Sequence, residues 1–142
     1  MVPVSDTDSN WMQAALEEAG AALRSDEIPI GAVLVQKNSV LAADHNRTRE
    51  MNDPLAHAEK LVIEKVLKSG TKYLQDCTLY ITVEPCLMCA GMIIWSRVGR
   101  VVYGCSDPKA GCAGSIYNAL QDRNFNHQPE LISGVLATES AR

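Results

Sequence analysis

Two short segments that carry metal-binding side chains, residues 57–59 and 85–89, constrain this chain more than any other feature of its sequence. Cys86 and Cys89 are three residues apart, so on a helix they are surface neighbours that can hold one ion. The partial positive charge of a helix N-terminus stabilises thiolates, the ligating form of cysteine. With His57 also near a helix start, two helix N-termini that meet at one edge of a sheet bring the three ligands together.

The residues before each segment predict where the helices begin. Asp53 is a preferred N-cap, and Pro54 fits the first turn, where its missing N–H costs nothing. This helix is expected to run through Leu67 and to stop at Gly70. Pro85 is expected to open the second helix, so that both cysteines and the histidine fall in first turns.

Hydrophobic patterning predicts the rest of the fold. Two branched apolar runs separated by a Lys-Asn turn predict a hairpin, and strands that are apolar on consecutive positions are typical of burial on both faces. Helices that alternate with strands after the hairpin favour an α/β fold, a mixed sheet with helices on both faces. The predicted helices are 9–24, 54–67 and 85–96 with a short piece at 116–120, and the predicted strands are 30–35, 39–43, 78–83, 98–103 and 131–136.

Length and composition set the broad class. The 142 residues predict a single domain over residues 1–142, and a hydrophobic content of 46% suits a globule with a sizeable core. No segment approaches the ~18 apolar residues of a membrane span, and residues 1–10 lack a signal pattern, so a cytoplasmic protein is expected. Five cysteines, with one C-x-x-C pair, indicate reduced thiols rather than a disulfide framework.

The net charge of −4 and the pI of about 5.3 argue against a broad electrostatic affinity for nucleic acid. Two interpretations of the basic residues stay equally open: a small patch that contacts phosphate, or scattered solvated charges. The residues concerned are Arg47, Arg49, Arg97, Arg100 and Lys109.

The combined pattern H-x-E…P-C-x-x-C indicates catalysis. Three protein ligands leave the fourth position of a tetrahedral zinc site open for water, which zinc ionises near neutral pH. Glu59 is then the candidate proton carrier. Because residues two apart on an ideal helix point roughly 200° apart, His57 and Glu59 can serve one site only if it straddles the helix end. The pattern is the known signature of zinc deaminases that act on nucleobases.

Two other interpretations use only part of this pattern. A thioredoxin-like redox pair gives the cysteines a role but leaves His57 and Glu59 without one. A structural zinc site needs a fourth protein ligand, and none of the spare candidates lies in a paired motif. Those candidates are His45, Cys105, Cys112 and His127. Cys77, Cys105 and Cys112 are interpreted instead as buried small residues.

With these motifs, the sequence resembles the cytidine deaminase superfamily, and more closely the bacterial tRNA adenosine deaminases, over residues 11–137. The metal motif is shared across the superfamily, whereas the loop 111–115 and the pair Asn126-His127 favour the tRNA branch. Further matching stretches are 28–33, 46, 53–59, 78–91, 96–97 and 101–104.

The resemblance implies a three-layer α/β/α fold with a five-stranded mixed sheet, one zinc ion per chain and a homodimer. It implies that adenosine at the wobble position of a tRNA anticodon loop is converted to inosine. It further implies that Asn46 hydrogen-bonds the base, the backbone of Ala58 helps to seat it, Ile30 packs on the ring and Glu59 moves the protons.

Alternatives to this function remain. A deaminase of a free base or nucleoside, such as guanine or cytosine, is favoured by the acidic pI and by the lack of the family's basic, aromatic C-terminal helix. A non-catalytic subunit that binds RNA or protein is the second alternative. The presence of Glu59 argues against it, because an inactive subunit needs no proton carrier. Without the resemblance, Asn46 is a turn-forming residue and Ile30 a core residue. Trp95 is interpreted as a core or dimer contact rather than a stacking platform for a base.

Overall fold

The computed structural model describes residues 6–141, so part of the signal-segment prediction for residues 1–10 lies outside the described residues. None of the helices described combines the length and hydropathy that crossing a bilayer requires. The helices are α1 (Asp6–Arg24), α2 (Ala58–Lys68), α3 (Leu87–Ser96) and α4 (Ala137–Ser140), and the strands are β1 (Gly31–Gln36), β2 (Ser39–His45), β3 (Cys77–Val83), β4 (Arg100–Cys105) and β5 (Glu130–Ile132).

The five strands form one mixed sheet in the order β2-β1-β3-β4-β5. Strand β1 pairs antiparallel with both β2 and β3, so the predicted hairpin is confirmed. Strands β3, β4 and β5 run parallel, and α3 is the crossover between β3 and β4 that a parallel pair requires.

Neighbouring residues of the central strands face different helical layers. Ala32 and Leu34 of β1 join the core cluster of α2 and α3, whereas Val33 and Val35 join the cluster around Met12 of α1. Because strand side chains alternate between the two faces, α1 covers one face of the sheet and α2 and α3 cover the other. The predicted three-layer α/β/α fold is therefore confirmed.

Helix α2 begins at Ala58, four residues later than the predicted start at residue 54. The Oδ1 atom of Asp53 accepts the N–H of Leu55 at 2.9 Å, and the carbonyl of Asp53 accepts the N–H of Ala56 at 3.1 Å. The Asp-Pro pair therefore forms a turn, and the prediction that Asp53 is the N-cap was wrong. The predicted stop is confirmed, since α2 ends at Lys68 and Gly70, with φ 107°, follows the C-cap Ser69.

The segment after β4 also differs from its prediction. The helical piece expected at 116–120 is a 3-10 turn at Ala119–Gln121, and the last strand ends at Ile132 rather than at residue 136. Gly134 and Leu136 have φ angles of 82° and 53°, so the backbone turns away from the sheet there. It then enters α4, a four-residue helix that the sequence analysis did not predict.

Candidate metal centre

The side chains of His57, Cys86 and Cys89 converge at the starts of α2 and α3. Nδ1 of His57 lies 3.6 Å from Sγ of Cys86 and 3.6 Å from Sγ of Cys89. A tetrahedral zinc ion, with Zn–S of about 2.3 Å and Zn–N of about 2.0 Å, places its nitrogen and sulfur ligands about 3.5 Å apart. The three residues therefore fit zinc. Within residues 6–141, no fourth His, Cys, Asp or Glu joins this group.

His57 and Cys86 are the N-cap residues of their helices rather than residues of the first turn, as the sequence analysis had them. Both have extended backbones, with ψ of 150° and 177°. Their carbonyls accept the first helical hydrogen bonds, from the N–H groups of Leu61 at 3.0 Å and Ala90 at 2.8 Å. Because an N-cap lies outside the helical spiral, the ideal angle between residues two apart on a helix does not apply to His57 and Glu59, so both can serve one site at the helix end.

The two thiols differ in how readily they ionise. A hydrogen bond from Cys89 lowers the pKa of Cys86 to about 5 against the opposing effect of burial, and the nearby His57 adds to the lowering. The hydrogen bond with Cys86, together with burial, raises the pKa of Cys89. Ionising both thiols at once needs a compensating positive charge, which a divalent cation supplies. The chemistry of this donor set therefore agrees with a metal site.

Glu59 lies beside the candidate ligands as the second residue of α2, and only 4% of it is exposed. Burial raises its pKa to about 7, the charge of Cys86 acts in the same direction, and a hydrogen bond with Cys89 partly opposes this. A carboxyl group that exchanges a proton near neutral pH is suited to general acid–base catalysis.

Asn46 and Ile30 lie together where the chain enters the site. Oδ1 of the buried Asn46 accepts the N–H of Ala58 at 2.8 Å, so this backbone donor is already engaged within the chain. The carbonyl of Ile30 accepts the N–H of Asn46 at 3.1 Å, and the Ile30 side chain packs on the main core cluster. The roles of these three residues toward a substrate stay predictions.

Glu84, which the sequence analysis missed, is buried just beyond β3, two residues before Cys86. Its carboxylate accepts the N–H groups of Asp107 (3.0 Å), Ala113 (2.8 Å) and Ser115 (3.0 Å), and also the hydroxyl of Ser115. Burial opposes ionisation of this carboxyl, but these hydrogen bonds outweigh it and lower the pKa of Glu84. An acid between an apolar strand and a Pro-Cys pair was its only signal in the sequence.

A second group of possible ligands, Glu18, Asp44 and His45, is an ion-pair cluster. Asp44 accepts hydrogen bonds from Nε of Arg47 at 2.7 Å and Nζ of Lys65 at 2.8 Å, and Nδ1 of His45 lies 2.9 Å from Glu18. Burial opposes the ionisation of Asp44, but hydrogen bonds from Lys65, the His45 N–H and Arg47 lower its pKa. Two side-chain cations thus already compensate this carboxylate.

The spare ligand candidates lie outside the metal group. Cys77 and Cys112 are buried, as predicted, while Cys105 is only partly buried. His45 and His127 contact other groups of the chain. For the part of the chain that the structure describes, the alternative of a four-ligand structural zinc site is wrong.

Three of the candidate phosphate-binding arginines form ion pairs. Arg100 makes two hydrogen bonds, of 2.7 and 2.6 Å, to the buried carboxylate of Asp8. Arg49 pairs with Asp26 at 2.7 Å, and Arg47 pairs with Asp44 of the ion-pair cluster at 2.7 Å. Arg100 therefore has an internal partner 92 residues away, which sequence reasoning did not find.

Trp95 is 85% exposed, so it is not a core residue of this chain, and only the dimer contact remains of that interpretation. With Tyr73, Phe125 and His127, it lines a surface cavity of about 280 Å³. The guanidinium carbon of Arg97 lies 5.0 Å from the centre of the Tyr73 ring, which is a cation–π contact. Trp95 thus belongs to an exposed surface that α3 forms together with Tyr73 and the segment 119–127.

The fold and this group of three candidate ligands fit a deaminase of the zinc-binding type. The family model for the cytidine and deoxycytidylate deaminase zinc-binding region matches residues 5–105, which include the three candidate ligands and Glu59. The chain belongs to this deaminase family.

The chain is similar to two tRNA deaminases and to one guanine deaminase. The chain is 48% identical over 133 residues to the tRNA-specific adenosine deaminase of Bacillus subtilis (strain 168). The matching region covers 93% of this chain and 83% of that protein. A structure solved in a study of A-to-I editing by tRNA:A34 deaminases at the wobble position has a TM-score of 0.89 and 43% identity, covering 94% of this chain and 97% of that one. The structure of a Bacillus subtilis guanine deaminase has a TM-score of 0.68 and is 33% identical. That match covers 82% of this chain and 74% of the guanine deaminase chain.

Proposed function

We propose that this protein hydrolytically deaminates adenosine to inosine at the wobble position of a tRNA anticodon. The observation that carries the proposal is the group of His57, Cys86 and Cys89 with the buried Glu59 beside it. The choice of tRNA adenosine is supported by the two tRNA deaminases named above, which match 93% and 94% of this chain.

The proposed chemistry divides between one zinc ion per chain and Glu59. When bound by His57, Cys86 and Cys89, zinc makes a water molecule nucleophilic near neutral pH. Glu59 takes one proton from the attacking water and delivers it to N1 of the base. It then takes the second proton, from the oxygen now bound to C6, and passes it to the leaving amine. The C6–N bond breaks and a C6–O bond forms, so adenosine and water give inosine and ammonia.

For substrate contacts, we propose Asn46, Ile30 and Ala58. The Oδ1 atom of Asn46 already accepts a hydrogen bond from Ala58, which leaves its Nδ2 group as the donor toward an acceptor on the base. Ile30, fixed through its carbonyl to Asn46, supplies an apolar surface for the ring. The N–H of Ala58 acts indirectly in this scheme, because it fixes the orientation of the Asn46 amide.

The function is tested by incubating zinc-loaded protein with tRNA that carries adenosine at the wobble position, and digesting the product for nucleoside mass analysis. We expect one inosine per tRNA, and none when the wobble adenosine is replaced by guanosine. An absence of inosine with stoichiometric zinc would reject the tRNA assignment while leaving the metal site intact.

Deamination of a free base or nucleoside is the second candidate, favoured by the net charge of −4 and by the likeness to a guanine deaminase. An ammonia-release screen of guanine, cytosine, adenine and their nucleosides separates the two candidates. Turnover of one of these compounds, without inosine in tRNA, would favour the second. A protein with bound zinc that is inactive in both assays would instead be the non-catalytic partner subunit.

We propose further that residues 1–142 form one domain and that two copies form a homodimer through the exposed surface of α3 and the segment 117–125. Exposed apolar side chains support this contact: Leu87, Trp95, Tyr117 and Phe125. The location that fits a tRNA substrate is the cytoplasm.

Light scattering tests the homodimer. We expect wild-type protein to have twice the chain mass and Trp95→Arg to shift toward the chain mass, since a charge opposes burial of this surface. Leu23→Arg, at an exposed position of α1, is the matched control and should stay dimeric. A wild-type protein of single-chain mass at tens of micromolar would contradict the homodimer.

A further inference from the structure

The loop 107–115 is attached to the segment that leads into the metal ligands. The N–H of Cys112 donates to the carbonyl of Pro85 at 2.8 Å, and the N–H of Glu84 donates to the carbonyl of Cys105 at 2.9 Å. Pro85 directly precedes Cys86 in the chain. The loop therefore lies against the turn from which α3 begins.

The carboxylate of Glu84 is the centre of this attachment. All four of its hydrogen-bond donors are uncharged groups of the loop, contributed by Asp107, Ala113 and Ser115. A buried carboxylate is costly without such bonds, and bonds to an ionised acceptor are stronger than neutral ones. The loop and the carboxylate thus hold each other in place.

The contact between the loop and Glu84 is also sterically tight. A Cβ atom added at Gly111 would overlap with the carboxyl group of Glu84, so the loop backbone approaches as closely as glycine allows. Gly111, Cys112 and Ala113 are buried on this inner side, whereas Lys109 and Gly114 on either side are exposed. The loop therefore has a fixed inner side and a solvent-facing outer side.

We propose that Glu84 is a positioning residue for the deaminase reaction. It holds the loop 107–115 as a wall beside the metal ligands, and this wall positions the substrate. Cys86 is partly exposed and directly follows the residue to which the loop is attached, so a substrate that reaches this ligand passes beside the loop. Glu84 acts through the loop and carries no proton in the reaction. The inference rests on the proposed deaminase function.

Glu84→Gln is the first test variant, because it keeps the size of the side chain but turns one acceptor oxygen into a donor that faces N–H groups. Ser115→Ala is the milder second variant, which removes one hydrogen bond and leaves the carboxylate in place. Glu17→Gln, at an exposed position of α1 on the opposite face of the sheet, is the matched control for the change of charge.

Amide hydrogen exchange of peptides that cover 107–117 measures the attachment without any substrate. In Glu84→Gln we expect these amides to exchange on the order of 10-fold faster while amides of α2 keep their wild-type protection. We expect zinc content to be unchanged, the KM for tRNA to rise on the order of 10-fold and kcat to change less than about threefold. Ser115→Ala should change loop exchange and KM in the same direction but by less, and Glu17→Gln should leave both at wild-type values.

Several results would overturn the proposal. Wild-type exchange in the loop of Glu84→Gln would mean that the carboxylate does not fix it. Faster exchange with unchanged KM and kcat would remove the loop from substrate positioning, and loss of zinc with faster exchange throughout would indicate a merely structural role. If Glu84→Gln does not fold, Ser115→Ala decides by the same criteria. If wild-type protein forms no inosine, the proposed function fails, while the exchange result still decides the attachment.

Discussion

Replacing Glu59 by glutamine separates the proton carrier from the metal ligands. Glutamine has nearly the same shape and no charge, and the site is only 4% exposed, so the amide fits without burying a charge. Loss of general acid–base catalysis lowers kcat by about 10²–10⁴-fold, which raises the barrier by roughly 2.7–5.4 kcal/mol at ~1.36 kcal/mol per factor of ten. Zinc content and the unfolding temperature should stay at wild-type values, since His57, Cys86 and Cys89 are untouched.

The assay is single-turnover inosine formation in tRNA, with zinc measured by mass spectrometry on the same samples. Glu64→Gln is the matched control, because Glu64 lies on the same helix and pairs with Lys60 at 2.8 Å near the surface. Such a helical pair contributes only about 0.2–0.5 kcal/mol to stability, and its loss should leave kcat unchanged. The reasoning is refuted if Glu59→Gln retains kcat within about tenfold of wild type, or if zinc is lost in proportion to activity.

Two further changes test the site and the ion-pair cluster. Cys86→Ala removes one of the three proposed ligands, so the variant should lose both its zinc and its activity. Stoichiometric zinc in this variant would show that Cys86 is not a ligand. Asp44→Asn should destabilise the protein at pH 7, because the pKa of Asp44 is lowered by Lys65, the His45 N–H and Arg47 despite burial. A carboxyl with a lowered folded-state pKa stabilises above its unfolded value of about 3.9 and loses this contribution as pH falls through the folded value. The stability difference in urea unfolding should therefore shrink below about pH 4, and a pH-independent difference would contradict the ion-pair account.

The sequence predicted what depends on local spacing. Consecutive apolar residues along the chain specified the central strands, and the i, i+3 spacing of Cys86 and Cys89 specified a shared ion. The start of α2 was misplaced because Asp53-Pro54 is compatible with both a helix start and a turn, and the choice is made by hydrogen bonds to Leu55 and Ala56. Because α2 starts at Ala58, His57 is an N-cap and the ideal helical angle of about 200° does not separate it from Glu59.

Features that depend on contacts between residues far apart in the chain could not be predicted from the sequence. Glu84 binds a loop 23 to 31 residues further along the chain, and Arg100 binds Asp8 across 92 residues. No periodicity links such pairs, so each looks like an ordinary charged residue in the sequence. Trp95 was read correctly as helical, but the exposed side of α3 follows only from how the helix packs on the sheet.

Zinc K-edge X-ray absorption of the purified protein tests the central claim most directly. We expect one zinc per chain with two sulfur atoms at about 2.3 Å and two nitrogen or oxygen atoms at about 2.0 Å, the latter from His57 and a non-protein ligand. A shell of three or four sulfur atoms, or protein that binds no zinc while His57, Cys86 and Cys89 are intact, would contradict it.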